Sequence, residues 1–473
     1  MNGKIGISRL LLLCPTLVGM VLLTTTSVRS ENGLYAGALI CGPSGASPAF
    51  TQSVTLALRD GAGEWSSGKP GQDGYHISTL SVAPDGTARV SGHYLVGLDK
   101  RLTELTGHAE SRSIKAAGRR GPRDCHLALD RPPPSVASAP YRLPYNVDAL
   151  RARVRQVTRV RACPDAEAAP HDLLVEGFYR RDDQTYSHID PDRLDAYNRT
   201  LKPIRAFESA VSLMADHALR TSADNSEPSD CTVSLLDGWA SIGALLGTMS
   251  SQGAYERKWS TITYALAFAE TLPSARGLQA SRISGWLRTI GDRVAIYYMQ
   301  PPGGRMSDRA NNHAYWAALS VVATGLASQD GDLFDWGMAR FNAALDDIDA
   351  DGFLALELAR AGKALHYHRF SLEPLLLLAH IARANHVEIP PAGEAALRRL
   401  VHRVRLGLDD PRAFAERSAR TQDEAGRSRG DWAWAELALA LFDDPGLAAR
   451  IAPLRPLSVR WLGGDLTLRY ARP

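Results

Sequence analysis

The apolar positions of the chain follow two different patterns, and the change falls near residue 130. From about residue 31 to residue 130, short runs of alternating apolar residues are separated by Asp-Gly and Pro-Gly pairs. This pattern is typical of β-strands joined by tight turns. Asp85 and Gly86, between two such runs, predict a β-hairpin. The clearest strand segments are 53–58, 88–96 and 126–129. We therefore predict a small β domain over residues 31–130.

From about residue 148 onward, apolar residues recur every three or four positions. That spacing predicts helices, and each segment ends at a break that carries Gly, Pro or Asp. About ten helices in succession, with no strand pattern between them, favour helix pairs packed as hairpins. The clearest segments are 207–219, 233–246, 259–272, 314–327, 375–384 and 432–442. A linker at 131–147 is indicated by Pro132, Pro133, Pro134, Pro140 and Pro144.

Residues 1–30 carry the pattern of a secretion signal. Lys4 and Arg9 precede a mostly apolar run at 10–23, and Val28 and Ser30 provide small residues for cleavage. The apolar run is short for a membrane span. We expect no stable membrane insertion after the signal is removed, and the mature protein is predicted to be periplasmic or secreted.

Removal of the signal leaves four cysteines in the mature chain, which are Cys41, Cys125, Cys163 and Cys231. An even number of cysteines in an exported protein favours disulfides. Their order suggests a Cys41–Cys125 bond within the β domain and a Cys163–Cys231 bond at the start of the next domain. Spacing alone does not prove this pairing, and free buried thiols are the alternative.

The charged residues are nearly balanced, with 54 Lys and Arg against 51 Asp and Glu. Only seven of the 54 basic residues are Lys. Arg grips a carboxylate with a rigid planar fork, whereas Lys acts as a point charge. The excess of Arg reflects either a GC-rich genome or recognition of an acidic partner. We predict no nucleic-acid partner.

Two segments are rich in groups that can carry out acid–base chemistry. The first opens an apolar helix and contains Asn311, Asn312, His313, Tyr315 and Trp316. The second contains Arg360, Lys363, His366, Tyr367 and His368. Because residues two apart on a helix face different sides, His366 and His368 do not predict a zinc site. We expect no metal and no cofactor.

Further stretches surround these two segments, namely Asp332-Leu333-Phe334-Asp335-Trp336, Gly352-Phe353-Leu354, Phe414-Ala415-Glu416-Arg417 and Leu462-Gly463-Gly464-Asp465. Together with Asn311-Asn312-His313-Ala314-Tyr315-Trp316 and Tyr367-His368, they resemble the alginate lyases of polysaccharide lyase family 5, the periplasmic mannuronate lyases. Cys163 and Cys231 also fall where that family has cysteines. The resemblance covers roughly residues 160–470 and leaves out the β domain.

The resemblance implies an incomplete (α/α) toroid over residues 148–473, with a groove for an anionic polysaccharide. Carried over by position, Asn312 and Arg360 would neutralise the uronate carboxylate, while His313 and Tyr367 would handle protons. The proton on C5 is very weakly acidic until that charge is balanced, and donors placed where charge develops stabilise the intermediate. A tyrosine beside Arg360 and Lys363 could have its phenolate favoured, and a protonated tyrosine could instead give its proton to the leaving O4. Whether His313 or Tyr367 is the base stays open.

Two departures from the family affect the predicted groove. The family places a Lys in a lid loop, whereas the matching residues 177–183 have an aromatic residue there. Arg180 and Arg181 are either its replacements or plain solvated charges. The stretch 250–259 also differs, which leaves another polyuronate, such as polyglucuronate, as an alternative substrate. Further substrate-binding candidates are Asn311, Tyr315, Trp316, His368 and Trp239, although core packing suits the two Trp residues at least as well.

The sequence therefore predicts a mainly α polysaccharide lyase, with a small β domain of unknown role, that cleaves alginate or a related polyuronate by β-elimination. One alternative is a polysaccharide-binding export protein without turnover. Another is a hydrolase with paired carboxylates. Asp332, Asp335 and Glu357 are available for such a pair, but nothing marks two of them as facing each other.

Overall fold

The computed structural model describes residues 32–110, 112–132, 139–154, 156–157, 161–165, 168–302, 307–423 and 428–471. The predicted signal peptide and part of the predicted linker, including Pro133 and Pro134, lie outside the described residues. Within the described residues, no helix has both the length and the apolar composition needed to cross a membrane.

Eight antiparallel strands form one sheet in the N-terminal part of the described chain. They are β1 Gly33–Cys41, β2 Phe50–Leu58, β3 Ala62–Ser67, β4 His76–Val82, β5 Thr87–Val96, β6 Asp99–Glu110, β7 Ser113–Arg120 and β8 Arg123–Asp130. Their order in the sheet is β2-β1-β8-β7-β6-β5-β4-β3. Alternate side chains of these strands, such as Leu56, Leu80, Leu105 and Leu127, fill a separate buried core.

Two details of the sheet were predicted from the sequence. The turn at Asp85 and Gly86 joins β4 and β5 in an antiparallel hairpin, as predicted. Gly86 adopts a φ of 84°, which a residue with a side chain rarely tolerates. Cys41 of β1 lies directly opposite Cys125 of β8, and the two form the predicted disulfide.

The rest of the described chain is mainly helical. The helices are α1 Val147–Arg153, α2 Pro191–Leu219, α3 Glu227–Ser241, α4 Ser251–Thr271, α5 Gly277–Met299, α6 Asn312–Ser328, α7 Gly331–Asp346, α8 Ala355–Leu358, α9 Ala364–Ala384, α10 Pro391–Asp409, α11 Arg412–Ser418, α12 Trp434–Leu441, α13 Pro445–Ile451 and α14 Leu466–Tyr470. Short 3-10 turns occupy Leu272–Ser274, Ala361–Lys363, Arg429–Trp432, Ala452–Leu454 and Arg460–Leu462, and β9 Ser458–Val459 pairs with β10 Gly464–Asp465. The coarse prediction of a mainly α chain preceded by a β domain is confirmed.

Helix α6 is the centre of the helical core. It is apolar almost throughout and buried on nearly all sides, and it packs against α4, α5, α7 and α9. A helix that is hydrophobic all round has no solvent face, so its neighbours must cover it completely. Gly337 of α7 allows the closest approach, since a Cβ there would lie 2.4 Å from a methyl group of Val322. The first turn of this immobilised helix carries His313.

The β domain is fastened to the helical part by ionic contacts. Arg59 donates to Asp292 at 3.0 Å and pairs with Asp330 at 2.9 Å, which places one cation between α5 and the start of α7. Arg131 forms a salt bridge with Asp332. A second disulfide, the predicted Cys163–Cys231, ties the segment before α2 to α3.

Candidate active site

A cleft of about 1300 Å³ lies among the ends of several helices of the helical part. Its walls come from α2 and the segment before it, from the N-terminal halves of α4 and α9, from the first turn of α6, and from the segments 428–431 and 458–461. Residues that line it include Tyr179, Arg180, Arg181, Tyr186, Tyr255, Trp259, Asn311, His313, Arg360, His366, Tyr367, Arg369, Arg460 and Trp461. The structure therefore brings together six of the predicted site residues, which are Asn311, His313, Arg360, Tyr367, Arg180 and Arg181.

Asn311 determines how the start of α6 faces this cleft. It is the N-cap of the helix, and its side-chain oxygen accepts a hydrogen bond from the backbone N–H of His313 at 3.0 Å. Such a cap satisfies one of the free N–H groups of the first turn. Asn311 thus holds His313 in place through the backbone while its own side chain remains at the cleft wall.

His313 is a half-buried imidazole inside an aromatic cage. Its ring centroid lies 4.0 Å from that of Tyr255 and 5.7 Å from that of Trp259. Burial lowers the pKa of His313 well below its usual range, and the nearby cations Lys258 and Arg360 lower it further. His313 is therefore a neutral imidazole at neutral pH.

Arg360 and Tyr367 form the polar centre of the cleft. The guanidinium carbon of Arg360 lies 3.5 Å from the ring centroid of Tyr367, and the Arg360 residue is only 4% exposed. Its N–H groups donate to the carbonyls of Thr185 at 2.9 Å and Tyr186 at 3.2 Å. Among the described residues, no carboxylate forms a salt bridge with it. A buried cation without an acidic partner is a ready binding point for an anionic ligand.

The Tyr367 hydroxyl is paired with a second phenol. It lies 2.6 Å from the hydroxyl of Tyr179. Burial raises the pKa of Tyr367, although Arg360 and the hydrogen bond from Tyr179 act in the opposite direction. Of the two states considered for Tyr367, the protonated phenol is thus favoured, because desolvation outweighs the nearby cations. Lys363 also contributes less than expected, since it pairs with Asp423 at 2.6 Å.

The loop 177–189 covers one side of the cleft and carries Tyr179. Its turn is organised by Asp183, whose carboxylate accepts hydrogen bonds from the backbone N–H groups of Thr185, Ser187 and His188 at 2.7–2.9 Å. Arg180 pairs with Asp182 at 2.8 Å and Arg181 with Glu176 at 3.0 Å, with all four side chains more than half exposed. These two arginines stand at the rim of the cleft with their charges already partnered.

Asn312 is placed differently from the prediction. It is fully buried and is not part of the cleft wall described above. Its backbone N–H donates to Glu357 Oε1 at 2.7 Å, and its amide nitrogen lies 3.0 and 3.1 Å from the two carboxylate oxygens. The amide N–H groups that were expected to neutralise a substrate carboxylate instead solvate a buried carboxyl group of the protein. Burial raises the pKa of Glu357.

Four other predicted binding residues lie in the core rather than at the cleft. Trp239 is stacked on Phe207 at 3.7 Å, and Tyr315 donates to Asp347 at 2.9 Å. Trp316 donates from its indole nitrogen to the carbonyl of Phe370. His368 accepts from the backbone N–H of Leu354 at 2.8 Å. Their polar atoms are satisfied inside the protein, so they are not available to a ligand in the cleft.

Several residues at or beside the cleft were not predicted as site residues, and four of them bear directly on His313 and Tyr367. Tyr179, Tyr255 and Trp259 line the cleft. The Nζ atom of the buried Lys258 lies 3.4 Å from Nδ1 of His313. The aromatic residue at the expected lid lysine was a signal for Tyr179, but it was noted only as a departure. Tyr255 to Trp259 lie in the stretch that differs from the family, and a helical spacing of four places Tyr255 and Trp259 on one face.

The carboxylates proposed for a hydrolase do not form a pair. Asp332 is bound to Arg131 of the β domain, and Glu357 is enclosed with Asn312. The described residues contain no cluster of three or more His, Cys, Asp or Glu side chains able to hold a metal ion.

Comparisons with known proteins agree with this geometry. Residues 164–414 match the family model described as alginate lyase. A polysaccharide lyase of Stenotrophomonas maltophilia is 33% identical over 332 residues, which cover 69% of this chain and 96% of that protein. An alginate lyase of Azotobacter vinelandii is 34% identical over 317 residues, covering 65% of this chain and 83% of that protein.

Solved structures show the same fold in the helical part. Alginate lyase A1-III from Sphingomonas species A1 superposes with a TM-score of 0.60 at 22% identity, covering 70% of this chain and 96% of that one. A histidine-to-alanine variant of that enzyme, complexed with tetrasaccharide, gives a TM-score of 0.59 at 23% identity and covers 70% and 95% of the two chains. Fold and cleft together define a polysaccharide lyase. The chain belongs to the alginate lyase family.

Proposed function

We propose that this lyase cleaves alginate by β-elimination in the cleft described above, leaving an unsaturated uronate at the new chain end. The observation that carries the proposal is the convergence of Arg360, Tyr367 and His313 on one cleft. The family membership and the names of the relatives support alginate as the substrate.

The spacing of two residues gives independent support to the site. Solved variants of alginate lyase A1-III in complex with tetrasaccharide carry a substituted tyrosine in one case and a substituted histidine in the other, and these positions are 54 residues apart. His313 and Tyr367 are also 54 residues apart in this chain. This agreement favours their placement beside the bond that is cleaved.

The proposed reaction begins with neutralisation of the uronate carboxylate by Arg360. A base then takes the proton from C5, the electron pair forms the C4–C5 double bond, and the C4–O4 bond breaks. The leaving O4 receives a proton from an acid. The C5–H and C4–O4 bonds of the polymer break, while the C4–C5 double bond and the O4–H bond form. The base gains the proton from C5 and the acid gives one to O4, so the step balances within the polymer and the protein. Positioned acid and base groups contribute about 10²–10⁴-fold to such a step.

Tyr367 is assigned to this proton transfer. Its raised pKa keeps a proton on the hydroxyl at neutral pH, which suits donation to the leaving O4. When Tyr367 loses its proton, the Tyr179 hydroxyl at 2.6 Å and the Arg360 guanidinium stabilise the phenolate. His313 supplies a neutral imidazole at the same wall.

Supporting roles fall to residues around this centre. We propose that Asn312 acts by solvating Glu357, because Glu357 lies close to Arg360 and precedes it by one helical turn, with a backbone bond from Arg360 N–H at 3.1 Å. Asn311 and the rim residues Arg180 and Arg181 are proposed to contact the sugar chain as it enters. We further propose that the helices form an incomplete (α/α) toroid and that the mature protein is periplasmic or secreted. The two disulfides support export, since disulfides persist in oxidising compartments.

One assay separates the proposal from its alternatives. Mannuronate-rich, guluronate-rich and glucuronate polymers are incubated with the protein, and both ultraviolet absorbance and reducing ends are followed. Elimination yields an absorbing unsaturated uronate, with the highest rate expected on an alginate polymer. Reducing ends without absorbance would identify a hydrolase, and binding without either product would identify the non-catalytic export protein. A highest rate on the glucuronate polymer would overturn alginate as the substrate.

A further inference from the structure

Lys258 is a fully buried lysine on α4 that contacts the candidate histidine from the side opposite the cleft. Its Nζ lies 2.7 Å from the Tyr298 hydroxyl, 3.0 Å from the His313 carbonyl oxygen and 3.4 Å from His313 Nδ1. The rings of Tyr255, Trp259 and Tyr298 surround it at 4.9–5.5 Å. Among the described residues, no carboxylate forms a salt bridge with it. A buried lysine whose polar contacts are confined to one histidine and one phenol is costly for stability, and packing alone does not require it.

Lys258 can satisfy all three contacts both as an ammonium group and as a neutral amine. An ammonium group has three N–H donors, which match the phenol oxygen, the carbonyl oxygen and Nδ1. Burial lowers the pKa of Lys258 well below its usual range, so the amine form must be considered as well. In that form the Tyr298 hydroxyl, 2.7 Å from Nζ, donates to the amine lone pair. The two remaining N–H groups still face the carbonyl oxygen and Nδ1.

We propose that Lys258 is a positioning residue that holds His313 as the tautomer with its proton on Nε2, by donating a hydrogen bond to Nδ1. This inference rests on the proposed function and goes beyond it by assigning the role of each ring nitrogen. The tautomer of a histidine is set by the hydrogen bond that its other nitrogen makes. His313 Nε2 has no partner among the described residues and is not one of their fully enclosed polar atoms, so it is the nitrogen open to the cleft.

This tautomer gives His313 and Tyr367 different roles in the reaction. With Nε2 protonated and the ring neutral, His313 presents an N–H donor to the cleft and has no free lone pair there. It then binds the developing negative charge on the uronate together with Arg360. Tyr367 first releases its own proton to solvent, and the phenolate, stabilised by Arg360 and the Tyr179 hydroxyl, then takes the proton from C5 and passes it to O4. A single phenol thus serves as base and acid, and Lys258 excludes His313 from the base role.

Nuclear magnetic resonance tests the tautomer directly. Protein labelled with ¹⁵N-histidine is recorded in long-range ¹H–¹⁵N correlation spectra near pH 7, and His313 is assigned from the signals missing in His313→Gln. The expected pattern is a protonated Nε2 with an unprotonated, hydrogen-bonded Nδ1. A protonated Nδ1 in the wild-type protein overturns the proposal, and this result needs no variant of Lys258 that folds.

The variant Lys258→Met removes the donors while keeping an unbranched buried side chain. We expect a mixed or reversed tautomer at His313 and a fall in kcat of at least tenfold, with a smaller change in KM. The matched control is Arg257→Met, which removes the neighbouring buried cation that donates to the Leu245 carbonyl. It should leave the His313 spectrum unchanged. An unchanged spectrum and kcat in Lys258→Met would overturn the proposal. Absence of lyase activity in the wild-type protein would instead remove the proposed function, while the tautomer measurement would still stand.

Discussion

The guanidinium carbon of Arg360 lies over the ring of Tyr367, 3.5 Å from its centroid. The same guanidinium donates to the carbonyls of Thr185 and Tyr186, so one side chain touches both the candidate acid–base group and the loop that covers it. A guanidinium can do this because it is planar and carries donors in several directions. Arg360 therefore links the loop to the ring of Tyr367 through one side chain.

The first prediction concerns the Tyr367 hydroxyl. Tyr367→Phe keeps the ring under Arg360 and removes only the group that exchanges protons, so kcat should fall by about 10³-fold or more. The rate of increase in ultraviolet absorbance on an alginate polymer measures this. Tyr94→Phe is the control, because it removes a hydroxyl that donates to the backbone carbonyl of Arg120 in the β domain, away from the cleft. Full activity of Tyr367→Phe would show that the assignment is wrong.

The second prediction concerns the guanidinium group of Arg360. Arg360→Lys keeps a positive charge but cannot bind two loop carbonyls and a carboxylate at once. We expect kcat/KM to fall by about 10²–10³-fold, together with faster protease cleavage within residues 177–189. Arg429→Lys is a matched control, since Arg429 also bonds two backbone carbonyls, those of Leu454 and Pro456. Equal effects of the two variants would contradict a special role for Arg360.

The third prediction separates structural from direct catalytic roles of Asn312. Asn312→Ala leaves the carboxyl group of Glu357 buried without its amide donor, which should lower the free energy of unfolding by about 1–3 kcal/mol. Denaturant unfolding measures this loss, with Asn225→Ala in an exposed turn as control. If Asn312→Ala keeps full stability but loses activity, Asn312 acts on the substrate and our placement is incorrect.

The fourth prediction is a pH dependence of stability that comes from His368. Burial lowers the pKa of His368 to about 4, because the charged ring is desolvated in the core. The neutral ring also accepts a hydrogen bond from Leu354 N–H. In the unfolded chain the pKa is about 6.5. Below that value the unfolded state binds a proton that the folded state does not bind. The free energy of unfolding therefore falls as the pH drops from about 6.5 towards 4.

The variant His368→Gln isolates this contribution. Between pH 7.5 and pH 5, the loss of unfolding free energy should be about 2 kcal/mol smaller in His368→Gln than in the wild-type protein. His402 is exposed, and His402→Gln should leave the pH dependence as it is. An identical pH dependence in wild-type protein and His368→Gln would contradict a folded-state pKa near 4.

The sequence predicted those features that depend on local pattern. The strand alternation, the turn at Gly86, the apolar helices and the cap at Asn311 each follow from residues close together in the chain. The sequence was less informative about which side chains are buried. Trp316 and His368 belong to segments rich in chemistry, yet both face the core. Trp316 lies beyond the first turn of the buried helix α6, and His368 lies on the inner face of α9, whose other face lines the cleft.

The placement of Asn312 and Tyr179 could not be predicted for a related reason. The partner of Asn312 is Glu357, 45 positions away, and Tyr179 meets Tyr367 across 188 positions. Contacts of this kind depend on how helices cross, and no local pattern encodes them. A resemblance carried over by position points to a residue. It gives no information on which atoms of that residue already form hydrogen bonds within the protein.

The salt bridges of Arg59 and Arg131 bear on any attempt to shorten the chain to its family-matching part. Cutting away the strands would leave Asp292, Asp330 and Asp332 facing each other without their cations, and would open to water the patch where Leu34 joins the helical core. Like charges at short range repel, and a bared apolar patch invites self-association. The helical part therefore depends on its contact with the β domain. We expect a truncated version to self-associate unless those three aspartates are replaced by amides.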